Sequence, residues 1–258
     1  MTSTEQLTEN SPKGDVAASV AVRAASATLA EAGLASPNPD AEQLAAHVLN
    51  VPRSQLTLAH FDTTLLGAFR ELVDRRAARE PLQHLLGSAG FRHIELMVGP
   101  GVFVPRPETE VVVEAALDVL RGLPSDYEPP LVVDLCTGSG TIAFSLASEF
   151  PRAVVHAVEL DPGALEWTRR NADRLGLPVT LHLGDAEHAL PELDGQLALV
   201  VSNPPYVAEH EVDGVDPEVR DHDPEVSLVA GTDGLDVVRA VEAAAWRLLR
   251  PGGSVIVE

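Results

Sequence analysis

Basic residues, cysteine and long apolar runs are all scarce in this sequence. Of its 258 residues only 18 are Lys or Arg against 39 Asp or Glu, a formal net charge of −21. A surface this negative repels polyphosphate and anionic membrane, which argues against a general DNA coat or a lipid-surface protein. Both halves share the deficit, with 17 acids and 10 bases in residues 1–129 and 22 and 8 in residues 130–258. The only lysine is Lys13, so a mechanism that needs a lysine has no candidate outside the polar leader. The single cysteine, Cys136, rules out an intramolecular disulfide and fits a reducing compartment. No stretch reaches the roughly 18 uninterrupted apolar residues of a membrane span. The opening MTSTEQLTENSPKGD has neither the basic nor the apolar region of a signal peptide. Nine histidines show no ligand spacing, so no metal site is expected. The expectation is a cytoplasmic monomer with no membrane contact and no direct nucleic-acid binding.

What is present is organised in blocks, with a disordered leader expected over 1–15. Residues 16–86 read as a small helical bundle: a helix over Asp15–Leu34, a second opening at Asn38-Pro39-Asp40, a short third near Ser54, and a fourth from Asp62 to Arg79. On the fourth, Leu65, Leu66, Phe69, Leu72 and Val73 share the buried side, while Arg70, Arg75, Arg76 and Arg79 form a mostly solvated face. Residues 87–107 read as a β-hairpin linker, with Ile94–Val98 and Val102–Val104 around Gly99-Pro100-Gly101. From residue 108 strands alternate with helices. Strands are expected at Leu131–Leu135, Val154–Leu160, Val179–Leu183, Leu197–Val201 and Ser254–Glu258, with helices at Thr141–Glu149, Pro162–Leu175 and Leu235–Leu249. Alternation of this kind calls for an α/β fold with a mostly parallel sheet covered on both faces, its ligand beyond the carboxyl ends of the strands.

Two strand ends carry the chemistry. The first strand runs into Asp134-Leu-Cys136-Thr137-Gly138-Ser139-Gly140, where glycines let the backbone turn tightly and come close to a ligand beside a helix N-terminus. Glu159, 19 residues past Gly140, ends the second strand, where its carboxylate can accept two hydrogen bonds from a ribose diol. That is a nucleoside site, although Gly138-Ser-Gly140-Thr-Ile-Ala143 also satisfies the relaxed dinucleotide fingerprint. The fourth strand runs into Asn203-Pro204-Pro205-Tyr206. The prolines hold the chain extended, so the Asn203 carboxamide and the Pro204 carbonyl can grip both hydrogens of a planar –NH₂ while Tyr206 stacks on its plane. Such a group is a poor nucleophile. Acceptors on both hydrogens aim its nitrogen and favour the positive charge that develops during attack.

Together, Asp134-x-x-x-Gly138-x-Gly140, Glu159 and Asn203-Pro-Pro-Tyr206 resemble the class I S-adenosylmethionine-dependent methyltransferases that modify planar nitrogen. With Arg79-Glu-Pro-Leu-Gln-His-Leu-Leu-Gly87, Val104-Pro-Arg106-Pro-Glu-Thr-Glu110 and Gly231-Thr-Asp-Gly-Leu235, the chain over residues 16–258 is similar to the peptide chain release factor glutamine methyltransferases of the PrmC/HemK family. The resemblance implies a Rossmann-like methyltransferase domain over 108–258 and a substrate-recognising role for the helical bundle. It implies S-adenosyl-L-methionine on Asp134, Cys136, Thr137, Gly138, Ser139, Gly140, Glu159, Asp185, Ala186 and Asn203. The substrate it implies is the glutamine of the Gly-Gly-Gln motif of class I release factors, methylated on the side-chain nitrogen and held by Asn203, Pro204, Pro205, Tyr206 and Arg106. Asn203, Pro204 and Tyr206 are expected to take the catalytic roles. Two positions depart from the family pattern: Ala186 stands where many relatives have an aromatic ring, and Cys136 where glycine is usual.

The same tetrad can hold the amino group of adenine, so an N6-adenine methyltransferase is the competing reading; the acidic charge of both halves argues against it. An inactive binding module or a nicotinamide oxidoreductase would leave the tetrad without a role. The acidic stretch Glu209–Glu225, with eight carboxylates and one arginine, directly follows the tetrad and is expected to face a protein substrate. The last residues, Ser254–Glu258, fall within the expected fifth strand, short of the antiparallel hairpin with which class I methyltransferases close the sheet, so the expectation is either a methyltransferase domain truncated there or a variant with an exposed strand edge.

Overall fold

A computed structural model describes residues 15–124 and 128–258, so the leader, apart from Asp15, and Lys13 lie outside the described residues. The chain divides after Leu86 into two units.

The first unit comprises β1 (Val16–Ala17), α1 (Ala18–Glu31), α2 (Pro37–Leu49), a 3-10 turn at Arg53–Leu58, β2 (His60–Phe61), α3 (Thr63–Ala77) and α4 (Leu82–Leu86). Its core gathers Leu29 and Leu44 with Phe61 and Phe69, whose rings stack at 4.9 Å. Asp62 caps α3 by accepting the Leu65 N–H at 2.8 Å. Helix α2 starts at Pro37, not at Asn38-Pro39. The earlier proline takes the first-turn position, where a missing N–H costs nothing, and the Asn38 side chain donates to Glu42 instead. The arginine face is only partly solvated. Arg76 is buried in an ion pair with Asp40 at 2.8 Å, and Arg79 donates to the carbonyls of Ala32 and Gly33 just past the end of α1. Two of the four arginines therefore tie helices together.

The second unit opens with a hairpin of β3 (Ser88–Phe91) and β4 (Ile94–Met97). Its turn is Arg92-His93, not the Gly-Pro-Gly segment, because three glutamates lock the turn arginine. Arg92 has φ +46°, its guanidinium bonds Glu149 and Glu114, and its N–H reaches Glu110. Val102 and Val104 form no strand; they are fully buried in an irregular segment. Ala89, Leu96, Val98 and Val102 pack with Phe144 and Ala164, which makes the hairpin part of this unit's core.

Then follow α5 (Glu110–Arg121), β5 (Leu131–Leu135), α6 (Thr141–Glu149), β6 (Val154–Glu159), α7 (Pro162–Leu175), β7 (Val179–Leu183), β8 (Leu197–Ser202), the single turn α8 (Pro217–Arg220), α9 (Asp236–Leu248) and β9 (Leu249–Val257). β9 follows α9 directly and begins five residues before the expected Ser254. The five strands are all parallel, in the order β7-β6-β5-β8-β9. Val132, Val155, Ala157 and Val201 face α5 and α6, while Val133, Leu135, Val158 and Val200 face α9. Strands buried on both sides read as unbroken Val/Leu runs for this reason. From β5 the chain runs outward through β6 to β7 and then crosses back to β8 on the other side of β5, so the strand order reverses there and opens a crevice at the carboxyl ends of β5 and β8. No described helix is long and apolar enough to cross a membrane.

Candidate active site

A cavity of about 590 Å³ lies beyond the carboxyl ends of β5, β6, β7 and β8. It brings together Cys136, Thr137, Gly138, Ser139, Glu159, Asp185, Ala186, Arg106 and the whole Asn203–Tyr206 tetrad. Two residues expected to bind the cofactor do not line it. Asp134 is fully buried behind the loop, where its Oδ2 accepts from the Thr137 hydroxyl at 2.6 Å and the Ala143 N–H at 3.1 Å. It shapes the loop from behind. Gly140 turns away as well: at φ +88°, an added Cβ would sit 2.2 Å from the Phe144 ring, so glycine is required by the packing of α6. Gly138 has φ +58° with open space around it and presents bare backbone to the cavity.

The glycine loop is fastened on every side. Thr168 donates to the Gly138 carbonyl at 2.6 Å. The buried Asn171 side chain donates to the Ser139 carbonyl at 2.9 Å and also takes both polar groups of Met97 on β4. Glu159 accepts from the N–H groups of Gly138, Leu160 and Asp161 at 2.8, 2.9 and 2.9 Å. A carboxylate offers about four lone-pair positions. Glu159 therefore keeps room for one further hydrogen bond, not the two expected from a diol. Burial raises its pKa against the pull of these three donors. Burial likewise pushes Asp134 up to about 7 and the Cys136 thiol up to about 12, which keeps the thiol protonated and unreactive. Cys136 sits at φ +61°, a left-handed conformation that favours glycine. Ala186 is buried in the wall and, as expected, offers no ring for stacking.

The tetrad is built differently. Pro204 and Pro205 are buried, and Tyr206 is 57% exposed at the mouth. A parallel bridge of Val207 with Val229 holds the segment, and Gly234 approaches so closely that a Cβ would lie 2.4 Å from the Tyr206 carbonyl. This contact explains Gly234, and Gly231, at φ +76°, lies against Asp236, whose carboxylate would be 2.0 Å from an added Cβ. Asn203 Nδ2 donates to the Thr109 hydroxyl at 3.1 Å. Among the described residues no donor reaches Asn203 Oδ1 or the Pro204 carbonyl, so both acceptors stay available beside the cavity. Thr109, Thr168 and Asn171 escaped the sequence reading. Only the Pro-Arg-Pro-Glu-Thr segment hinted at the first of them, and no local signal marked the other two.

The acidic segment frames the mouth. Val215, Val219 and Val226 turn into the cavity wall while Glu209, Glu211, Asp213, Asp216, Asp221 and Glu225 face outward. Asp223 is the exception: it is buried, accepts from Arg106 at 2.8 Å, and is pushed up to about 6 by burial. Arg106, expected to touch substrate, lines the cavity with its guanidinium tied to Asp223 and resting 5.1 Å from the Phe103 ring centre.

Residues 21–87 match the PrmC N-terminal domain and residues 132–222 a methyltransferase domain. The release factor glutamine methyltransferase of Streptomyces coelicolor is 56% identical over 92% of this chain and 83% of its own length. The chain belongs to the release factor glutamine methyltransferase family. Relatives of the same name in Mycolicibacterium smegmatis and Corynebacterium glutamicum are 51% and 45% identical, each over 92% of this chain and over 83% and 84% of their own lengths.

Proposed function

We propose that this chain transfers the methyl group of S-adenosyl-L-methionine to the side-chain amide nitrogen of the glutamine in the Gly-Gly-Gln motif of class I release factors. The observation that carries this reading is the pair of free acceptors, Asn203 Oδ1 and the Pro204 carbonyl, in one cavity with the Glu159 strand end. The cavity has the size and mixed lining of a small-molecule site. Its residues fit the cofactor. Glu159 has one lone-pair position left for a ribose hydroxyl, Asp185 and the Ala186 backbone edge the adenine position, Val158 and Ile142 supply apolar surface, and Cys136 to Ser139 border the amino-acid end. Asp134 and Gly140 hold that loop in shape from outside the wall.

Bound S-adenosylmethionine supplies a methyl group made electrophilic by the adjoining sulfonium charge. Asn203 Oδ1 and the Pro204 carbonyl accept both hydrogens of the target –NH₂, fix the direction of its nitrogen and favour its developing positive charge. The proton given up by nitrogen passes first to an acceptor it already touches and from there to water. The exposed Tyr206 ring covers one face of the target, and Arg106 shapes the mouth through Asp223. Flanking glycines let a protein loop enter so narrow a space. The outward carboxylates of Glu209–Glu225 suit a release factor with basic residues near the target and disfavour a phosphate backbone.

The test incubates the chain with methyl-labelled cofactor and a class I release factor, then repeats with the target Gln replaced by Ala, and with duplex DNA. Label confined to the intact release factor is expected. Equal label in the Gln-replaced protein, or label in DNA, overturns the assignment.

A further inference from the structure

Thr109 and Asn203 are 94 positions apart in the chain and meet at the cavity, where Asn203 Nδ2 donates to Thr109 Oγ1 at 3.1 Å. Thr109 is buried, lines the cavity, and is held by a short turn in which its N–H reaches the Arg106 carbonyl. A hydroxyl is one donor as well as an acceptor. Here it accepts, and among the described residues its own hydrogen has no acceptor. The carboxamide of Asn203 has two unlike ends. Rotated by half a turn it would present its –NH₂ to the cavity and repel the –NH₂ it has to hold.

We propose that Thr109 reads the other half of the target group: its hydroxyl donates to the carbonyl oxygen of the target amide. With its one hydrogen so used, the hydroxyl can only accept from Asn203, which forces Asn203 Oδ1 toward the target –NH₂. The result is a closed relay from target N–H to Asn203 Oδ1, from Asn203 Nδ2 to Thr109 Oγ1, and from the Thr109 hydroxyl to the target carbonyl. The relay rests on the function proposed above and adds the basis of its selectivity. A carboxylate has no hydrogen for Asn203, and an alkylamine has no acceptor for Thr109.

The experiment compares the full chain with Thr109→Val, which keeps the shape without the hydroxyl, and Thr109→Ser, which keeps the hydroxyl. Thr109→Val is expected to lower kcat on a class I release factor by about 10- to 100-fold while KM and cofactor affinity by calorimetry change by less than about threefold. Thr109→Ser is expected to restore turnover to within about threefold of the parent. In the free protein, the ¹⁵N-labelled side-chain amide of Asn203 should lose its hydrogen-exchange protection in Thr109→Val and keep it in Thr109→Ser. A Thr109→Val protein with parental turnover, or a Thr109→Ser protein as slow as Thr109→Val, overturns the relay alone. A parent chain that leaves the release factor unlabelled overturns the proposed function and the relay with it.

Discussion

The loop after β5 and the tetrad after β8 stand side by side in one cavity and are built on opposite principles. In the loop, the carbonyls of Gly138 and Ser139 and the Gly138 N–H are each tied to a side chain. In the tetrad, prolines remove donors, and the two acceptors that matter are left without partners among the described residues. Saturated hydrogen bonding gives the loop a fixed shape for a ligand to lie along. Withheld hydrogen bonding leaves the tetrad two acceptors ready for the two hydrogens of an arriving –NH₂ group.

The sharpest way to break this contrast is Asn203→Ala. Turnover should fall by about 100- to 1,000-fold, as for loss of one preorganised electrostatic group, with a much smaller change in cofactor affinity. Parental kcat in this variant would mean the acceptors are idle. Glu159→Ala attacks the saturated side: three N–H groups lose their partner, so cofactor affinity should fall by about 10- to 100-fold and the melting temperature should drop as well. Calorimetry and a melting curve on the same sample separate the two effects.

Smaller effects follow. Raising salt from 50 to 300 mM should raise KM for the release factor by about threefold through screening of the outward carboxylates, with kcat steady. A salt-independent KM would remove that rim from recognition. The pH dependence of stability tests the buried carboxylate behind the loop. Asp134 is raised from 3.8 to about 7 on folding, so the native state holds this proton more tightly than the unfolded chain does. Its contribution is fully present below about pH 4 and is lost as pH rises through about 7. Asp134→Asn should flatten the decline in melting temperature between pH 5 and 7, and an unchanged slope would assign the decline to other groups such as Asp223. Last, Cys136→Gly relieves a left-handed non-glycine residue and should stabilise the chain by about 1 kcal/mol, visible as a rise of a few degrees in melting temperature.

The sequence disclosed whatever is written locally. β5, α6, α7 and β7 lie within the bounds expected from their apolar runs and caps, and the glycine loop, Glu159 and the tetrad converge as strand-end chemistry requires. What stayed hidden depends on partners far away in the chain. The hairpin turn falls at Arg92 because Glu114 and Glu149 hold its guanidinium, a stronger determinant than a Gly-Pro-Gly segment that merely permits a bend. Arg76 looks like a surface residue until Asp40, 36 positions earlier, is placed against it. Asp134 reads as a ligand contact from its motif, yet its neighbours Thr137 and Ala143 consume one oxygen and burial excludes it from the cavity. Thr109 lies within the Val104–Glu110 motif, yet its part in the site depends on Asn203, 94 positions away.

Asn171 acts on a different scale from these pairs. With both polar groups of Met97 and the Ser139 carbonyl on one carboxamide, a helix residue stands in for the neighbouring strand that β4 lacks on that side. The chain that leaves β4 leads on to Thr109, and the loop that Asn171 touches lines the same cavity. One side chain thus serves as a gauge block: it sets the spacing between the hairpin and the glycine loop, and any slip of the hairpin would be registered at once on that loop.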